Sequence, residues 1–291
     1  MGSETPDPST TATAPSAVLA CPHCEGPLQL NGAGATCENR HSFDRGRGGY
    51  LNLLVGGRLS GATTPGDTPD ALAARRRFLA GGDYTPIVTA LAEAIGVPGG
   101  PVLDVGCGEG YYLSQLPLPD RFGLDIAKRA VQMAAMLLPD TQFVVGSAYR
   151  LPVLDQSVAT VLSVFAPHPF EEFERVLQPG GRWVTVTPGP NHLREMRPAL
   201  SGESGRKAGD RLERRSEPPG EATAAIRVEF QLQLSADARR DLFLMTPLRW
   251  QAGAIGAATE HGGEVHGGEV HGGEVQGGAV SVDVWVSSSA R

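Results

Sequence analysis

The chain has 291 residues, 41% of them hydrophobic and 20% charged, with a formal net charge of −7, 38 glycines and 23 prolines. That apolar share supports a sizeable core and excludes wholesale disorder, and no apolar run approaches the ~20 residues that span a bilayer. The Gly/Pro excess points to loop-rich ends around a globular middle, and the acidic balance stands as an objection to a nucleic-acid partner.

In chain order, residues 1–17 are Ser/Thr/Ala/Pro-rich without periodicity or an apolar h-region, which predicts a disordered leader, no secretory signal and a cytoplasmic location. A compact, Cys-bearing module follows over 18–58. Residues 59–98 read as a linker and two helices, Asp70–Leu79, which carries Arg75, Arg76 and Arg77, and Thr85–Ile95. From 99 to 291 short apolar runs alternate with helical segments. Strands are expected at Val102–Val105, Phe122–Ile126, Phe143–Val145, Val158–Phe165, Trp183–Thr187, Ala225–Leu234 and Val280–Val286. Helices are expected at Ala127–Leu138, Glu171–Leu177 and Ala236–Leu244. This alternation predicts βαβ units and a mostly parallel sheet, an α/β fold. Within a Gly-rich loop over 251–278, the pentad HGGEV occurs three times from His261 and then degenerates to QGGAV. A period of five fits no solenoid unit; a flexible repeat expansion and a metal-binding tract are the two readings, and the paired glycines favour the first.

Cys21, Cys24, Cys37 and His41 form C-x2-C-x12-C-x3-H. Each close pair can bite one tetrahedral ion, and the separation suits a small β-hairpin that brings the pairs together. Four good ligands leave no open position, so the expectation is one structural Zn2+, which a module this short needs in order to fold. His23 lies between the first two ligands and reads as a surface residue. Arg40, Arg45, Arg47 and Arg58 stand against Asp44 alone, either as a solvated rim or as a phosphate-contacting surface.

Val102–Gly110 reads VLDVGCGEG: a strand, Asp104, then Gly106, Gly108 and Gly110 before helix-forming residues. Glycines there let the backbone turn tightly and approach a ligand without Cβ interference. Asp125 ends the next strand, where a carboxylate can accept ribose hydroxyls, and EFERVLQPGG followed by WVTVT gives a helix, a Gly-Gly turn and a strand. Together these features resemble the class I S-adenosylmethionine-dependent methyltransferases over about residues 101–188. The resemblance implies a Rossmann-like, mostly parallel seven-stranded sheet with the zinc-binding β module at its N-terminal side. It implies S-adenosylmethionine as cofactor, with Asp104, Gly106 and Gly108 along its methionine and ribose, Asp125 on the ribose hydroxyls, and Ser147 and Ala148 near adenine. Cys107 reads as a small buried residue, because the fourth strand ends SVFAPHPF without the Pro-Cys of cytosine-C5 chemistry.

HSFDRGRGGYLNLL after the zinc ligands, GDTPDALAARRRFLAGGDYTPI, SVFAP, VTPGPNHLREMR and FLMTPLRW carry a narrower resemblance. The chain is similar to the large-subunit (23S) ribosomal RNA guanine-N1 methyltransferases, whose members include the enzymes that protect macrolide producers from tylosin-type drugs. It departs where Leu248 stands in place of the family's usual His, and in the pentad tract. The resemblance implies 23S ribosomal RNA as partner, a homodimer whose paired zinc modules form an RNA cleft, and no membrane association. Guanine N1 carries a proton about as weakly acidic as a phenol's, so an acceptor for it, or a group holding O6, is needed beside an in-line methyl transfer. His168 and His192, each beside an expected strand end, are the candidates, and His192 also falls near the cofactor. Phe165, Phe170 and Trp183 are candidates to stack on an unstacked base, with core packing as the alternative for each.

The charge objection weakens once the sum is taken by segment. Residues 182–215 hold eight Lys/Arg against four Asp/Glu, whereas 259–291 hold five acids against one Arg. An RNA face is expected from Arg40, Arg45 and Arg47, from Arg75, Arg76 and Arg77, and from Arg194 and Arg197. The competing reading is a small-molecule methyltransferase with a structural zinc module; a non-enzymatic zinc adaptor is disfavoured by Asp104 and Asp125 around the glycine loop.

Overall fold

A computed structural model describes residues 18–54, 68–197, 217–248 and 277–291. The expected leader, Arg58, the linker up to residue 67, Arg206–Arg215 and the HGGEV tract lie outside the described residues.

Cys-bearing turns alternate with three short strands, Gln29–Leu30 (β1), Gly34–Thr36 (β2) and Ser42–Asp44 (β3), in an antiparallel sheet, and Leu51–Asn52 (β4) leaves it. Pro69–Ala80 (α1) starts where the Thr68 hydroxyl accepts from the Ala71 N–H at 3.3 Å and Pro69 takes the first turn, which needs no N–H. Its apolar residues Leu72, Phe78 and Leu79 are buried, and it stops at Gly81. Then come Thr85–Ile95 (α2), Val102–Val105 (β5), Tyr111–Gln115 (α3), Arg121–Asp125 (β6), Lys128–Leu137 (α4), Gln142–Val145 (β7), Val158–Val164 (β8) and Phe170–Val176 (α5). Leu177–Pro188 (β9), a 3-10 turn at Arg194–Met196, Ala224–Leu234 (β10), Ala236–Leu244 (α6) and Gly278–Ala290 (β11) complete the chain.

One large sheet runs β10-β11-β9-β8-β5-β6-β7-β4, with β11 antiparallel to both neighbours and the strands from β9 to β4 parallel. This is the class I methyltransferase arrangement with one correction: eight strands stand where seven were expected. The eighth is β4. Leu51 and Asn52 pair with Val144 and Val145, the Leu53 N–H donates to Val145 O at 2.9 Å, and Leu51 is fully buried. Further up the chain, Leu154 N–H donates to Val18 O at 2.9 Å and Ala20 N–H to Pro152 O at 3.0 Å. Val18, Leu19, Leu28, Leu51 and Leu53 therefore share one core with Leu103, Val105, Leu124 and Val153. Each such side chain contributes about 1.5–3 kcal/mol by leaving water, which makes the junction a continuous interior.

Side chains alternate across β8, so Leu162 and Val164 face a core with Tyr84 and Val186, while Val161 faces the core with Phe173 and Trp183. The LQPGG turn expected before the fifth parallel strand is a bulge inside β9: Val158 pairs with Leu177, and the next pair is Thr160 with Arg182. Gly180 sits at φ +77°, and a Cβ on Gly181 would lie 2.9 Å from the Ala159 carbonyl oxygen. From β5 the chain steps outward through β6 and β7, then returns to β8 on the other side. The crevice outside the carboxyl ends of β5 and β8 is thus the topological switch point, where ligands of such sheets bind.

Candidate functional site

Two turns gather the metal ligands. Cys21–Glu25 closes through the Glu25 N–H to Cys21 O bond of 2.7 Å, and Cys37–His41 through Arg40 N–H to Cys37 O at 2.9 Å, with Glu25 and Arg40 left-handed at φ 60° and 62°. Cys24 Sγ lies 3.6 Å from Cys37 Sγ, His41 Nδ1 lies 3.4 Å from Cys21 Sγ and 3.3 Å from Cys37 Sγ, and all four ligand atoms fall within 4.8 Å of one another. A tetrahedron with ~2.3 Å zinc–sulfur bonds has edges of about 3.8 Å. Three thiols and an imidazole at these spacings fit one structural Zn2+ with no position left for substrate. Asn39 beside Cys24 holds that thiol down at about 6, near the thiolate the metal needs, while burial pushes Cys21 up. The exposed His23 ring stacks on Phe43 at 5.9 Å and lies 4.9 Å from His41, outside the ligand set.

The second site is the glycine loop at the switch point. Gly106, Gly108 and Gly110 sit at φ +80°, +55° and +83°, and a Cβ on Gly106 would fall 2.3 Å from the Ala166 Cβ. The Gly106 and Cys107 N–H groups both donate to Leu124 O, at 2.7 and 3.0 Å. Asp125 Oδ2 accepts from the Gly108 N–H at 2.9 Å and Oδ1 from the Ala127 N–H at 2.8 Å, so this carboxylate ties loop to strand end. Asp104 is 1% exposed, its Oδ1 has no hydrogen-bond partner among the described residues, and burial together with Asp125 raises its pKa to about 8. A buried carboxyl with an orphaned oxygen beside a Cβ-free cradle fits a ligand with both a cationic group and a ribose, as S-adenosylmethionine has. Ser147 and Ala148 are half-buried at the end of β7, at the same edge of the sheet. Cys107 is buried and its thiol pushed well up by burial, in keeping with a packing residue.

The two histidines do not meet. His168 Nδ1 lies 3.2 Å from Ser163 Oγ and its ring 6.0 Å from Phe170, which packs on Trp183 on the α5 side of the sheet. His192 stacks on Phe165 at 5.6 Å and 27°, and Phe165 in turn lies 6.3 Å from the Tyr84 ring on the other side. Burial lowers both imidazoles to about 4. Of the aromatic residues expected to stack, Trp183 belongs to the core and the partly buried Phe170 packs against it, whereas Phe165 is 39% exposed and held left-handed at φ 54° at the end of β8. Nothing in the sequence marked Tyr84, which caps α2 from a Gly-Gly-Asp turn, or Asp283, which lies in an otherwise apolar alternation on β11.

The arginines divide. Arg40, Arg47 and Arg76 are exposed. Arg45 instead reaches Gly49 O, Gln142 Oε1 at 2.9 Å and Asn31 O at 3.2 Å, clamping the zinc module to β7. Arg75 leans over the cofactor loop, donating to Met245 O at 3.2 Å and lying 3.7 Å from Glu109 Oε2. Arg77 pairs with Asp241 of α6, Arg194 with Glu195, and Arg197 donates to His192 O at 2.7 Å. For these five, intramolecular partners take up donors that the charge count alone assigned to RNA.

Known proteins are similar to both parts of the chain. The family model described as "RlmA, N-terminal", a zinc ribbon, matches residues 19–55, and one described as "Methyltransferase domain" matches 103–185. A 23S rRNA (guanine(748)-N(1))-methyltransferase of Streptomyces fradiae is 38% identical over 245 residues, covering 80% of this chain and 85% of its own. Two proteins that carry the name "Putative 23S rRNA (guanine-N(1)-)-methyltransferase" are similar over 80% of this chain and 86% of theirs: one from Micromonospora griseorubida at 36% identity, one from Bacillus subtilis at 30%.

Proposed function

Because this chain belongs to the 23S rRNA (guanine-N1)-methyltransferase family, we propose that it transfers the methyl of S-adenosylmethionine to N1 of a guanosine in a hairpin loop of 23S ribosomal RNA. The observation that carries this reading is a 38% identity over 80% of this chain and 85% of the relative, beside the zinc-ribbon match at 19–55 and the methyltransferase match at 103–185. The Streptomyces fradiae relative, named for guanine 748, favours the same guanosine here; protection against tylosin-type macrolides is what the family resemblance adds to the proposal. A homodimer and a cytoplasmic location complete the proposal; among the described residues no helix is long and apolar enough to cross a membrane.

The sulfonium of the bound cofactor supplies an electrophilic methyl. The chain's own residues do the rest. Gly106, Gly108 and Gly110 would let the cofactor lie close against the loop backbone without Cβ interference, Asp104 would receive its cationic end, and Asp125 its ribose hydroxyls. Arg75 and Glu109 cover the loop from the α1 side. A guanine at this edge must leave its stack, at a cost of a few kcal/mol, and the half-exposed Phe165 face offers an aromatic surface in exchange. Arg40 and Arg47 on the zinc module and Arg76 on α1 remain to contact phosphates. The test is methyl transfer from labelled cofactor to 23S hairpin transcripts, with the modified base mapped by primer extension. Labelling at guanine N1 in one hairpin is expected, and no labelling of any large-subunit RNA overturns the reading. Expression in a sensitive host, with tylosin susceptibility as readout, tests the protection.

A further inference from the structure

The segment after β9 that carries His192 is fastened to β11 at many points. Gly189 N–H donates to Asp283 O at 2.7 Å, Leu193 N–H to Ser281 O at 2.8 Å, and Glu195 accepts from the Ser281 N–H at 2.8 Å and hydroxyl at 2.6 Å. Asp283 lies at the centre. Its side chain is 2% exposed, and Oδ2 accepts from the Asn191 N–H at 2.8 Å. The Arg227 guanidinium of β10 donates to Oδ1 and Oδ2 at 2.8 Å each. Gly189 makes room for that carboxylate, since a Cβ there would lie 2.3 Å from Asp283 Oδ1.

One further bond decides the chemistry of the imidazole. The Asp283 main-chain N–H points at His192 Nδ1, 3.4 Å away. An amide N–H only donates, so Nδ1 must be the ring's acceptor, and a neutral ring then carries its proton on Nε2. Nε2 has no hydrogen-bond partner among the described residues, and the ring plane lies against Phe165, just past the end of β8 beside the switch-point crevice. We infer that Asp283 is a positioning residue: its main-chain N–H fixes His192 as the Nε2–H tautomer and its carboxylate holds the His192 segment in place, so that His192 donates a hydrogen bond to an acceptor oxygen in the crevice and takes no proton. The sequence offers His192 as a base; the lone pair a base would use is on Nδ1 and already engaged. The acceptor is a carboxylate or carbonyl oxygen, supplied either by the cofactor's methionine end or by guanine O6.

The charged groups around the ring agree. They are Asp283 on β11, its partner Arg227 on β10, and Arg197 on the His192 segment; burial, then Arg197, outweighs Asp283 and keeps the ring neutral at ordinary pH. The bidentate Arg227 leaves Asp283 little charge with which to favour an imidazolium.

The functional arm of the test rests on the proposed reaction; the structural arm does not. In the free full-length protein, nitrogen NMR of labelled histidine, with His192→Gln to assign the signal, is expected to show a neutral Nε2–H ring from pH 5 upward. An Nδ1–H ring, or an imidazolium at pH 7, overturns the inference whatever the enzyme does. His192→Gln, whose amide can place an N–H near Nε2 but cannot act as a base, is expected to keep measurable turnover, whereas His192→Ala loses about 100-fold. Asp283→Ala loses about 10- to 100-fold with zinc content and folding retained, and Asp283→Asn, which keeps an acceptor for Asn191, recovers part of it. A loss confined to cofactor affinity assigns the acceptor to the methionine carboxylate; a loss in kcat at unchanged affinity assigns it to O6. A dead His192→Gln, or a break in the kcat/KM pH profile that disappears with it, makes His192 a base and refutes the proposal.

Discussion

Gly106→Ala tests the glycine loop on two separable terms. The residue sits at φ +80°, where a Cβ costs about 1–2 kcal/mol through its clash with the following carbonyl. The same Cβ would stand 2.3 Å from the Ala166 Cβ, against an ordinary contact of about 3.5–4.0 Å, so β8's end must retreat by more than an ångström. Overpacking of this kind costs about 1–3 kcal/mol, which brings the expected loss to about 2–5 kcal/mol. Urea unfolding followed by circular dichroism measures the sum, and calorimetric titration with S-adenosylhomocysteine measures what reaches the ligand, at about tenfold per 1.4 kcal/mol. Ala166→Gly in the same chain removes the methyl that the new Cβ would strike and leaves the backbone term alone. The double variant should therefore recover about 1–3 kcal/mol of stability beyond additivity. A Gly106→Ala protein within about 0.5 kcal/mol of the parent, or a double variant that recovers nothing, refutes the steric account.

Three further outcomes follow from the geometry. Stripping zinc with a strong chelator, or Cys37→Ser, should lower one cooperative thermal transition of the whole described fold, because Leu51, Leu53 and Leu19 belong to the core of the sheet; an unchanged upper transition in calorimetry contradicts this. With Asp104 at about 8 and protonated in the free site, a cationic ligand group favours the ionised form and lowers that pKa, so at pH 7 binding releases a proton and affinity rises with pH up to about 8. Titrations in buffers of differing ionisation enthalpy should show the proton, and Asp104→Asn should abolish it; no release in the parent protein refutes the assignment. Arg40→Glu, Arg47→Glu and Arg76→Glu should each weaken RNA binding and reduce its salt slope by about one, whereas Arg45→Met should cost about 1–3 kcal/mol of stability through lost contacts to Gly49, Gln142 and Asn31. Filter binding across a salt series, beside chemical denaturation, separates the two classes.

What could be read from the sequence was what short-range pattern encodes. The boundaries of Val102–Val105, Thr85–Ile95 and Ala236–Leu244 agree with the structure, as does the expectation that Cys21, Cys24, Cys37 and His41 converge. β4 escaped because two residues carry no periodicity, and its pairing partner lies far along the chain. The partners of the arginines were not legible for a related reason: a charge sum cannot see that Arg77 faces Asp241 or that Arg197 donates to the His192 carbonyl. His168 and His192 both follow strand ends, but which face each ring takes depends on strand alternation and on the partners Ser163 and Phe165. Asp283 was hidden most completely, since a single acid in a valine alternation reads as a solvent-facing position until Arg227 is seen across the strand pair.

The addition of β4 to the sheet also sets an order of events during synthesis. Leu51 and Asn52 are made early, while the strand they pair with, Val144 and Val145, follows roughly ninety residues later. At about 5–20 residues per second, the zinc-loaded segment waits for about 5–20 s before its seat exists. During that interval Val18, Leu19, Leu51 and Leu53 lack Val144 and Val153, and the nascent chain presents part of a metal-stiffened apolar face to solvent.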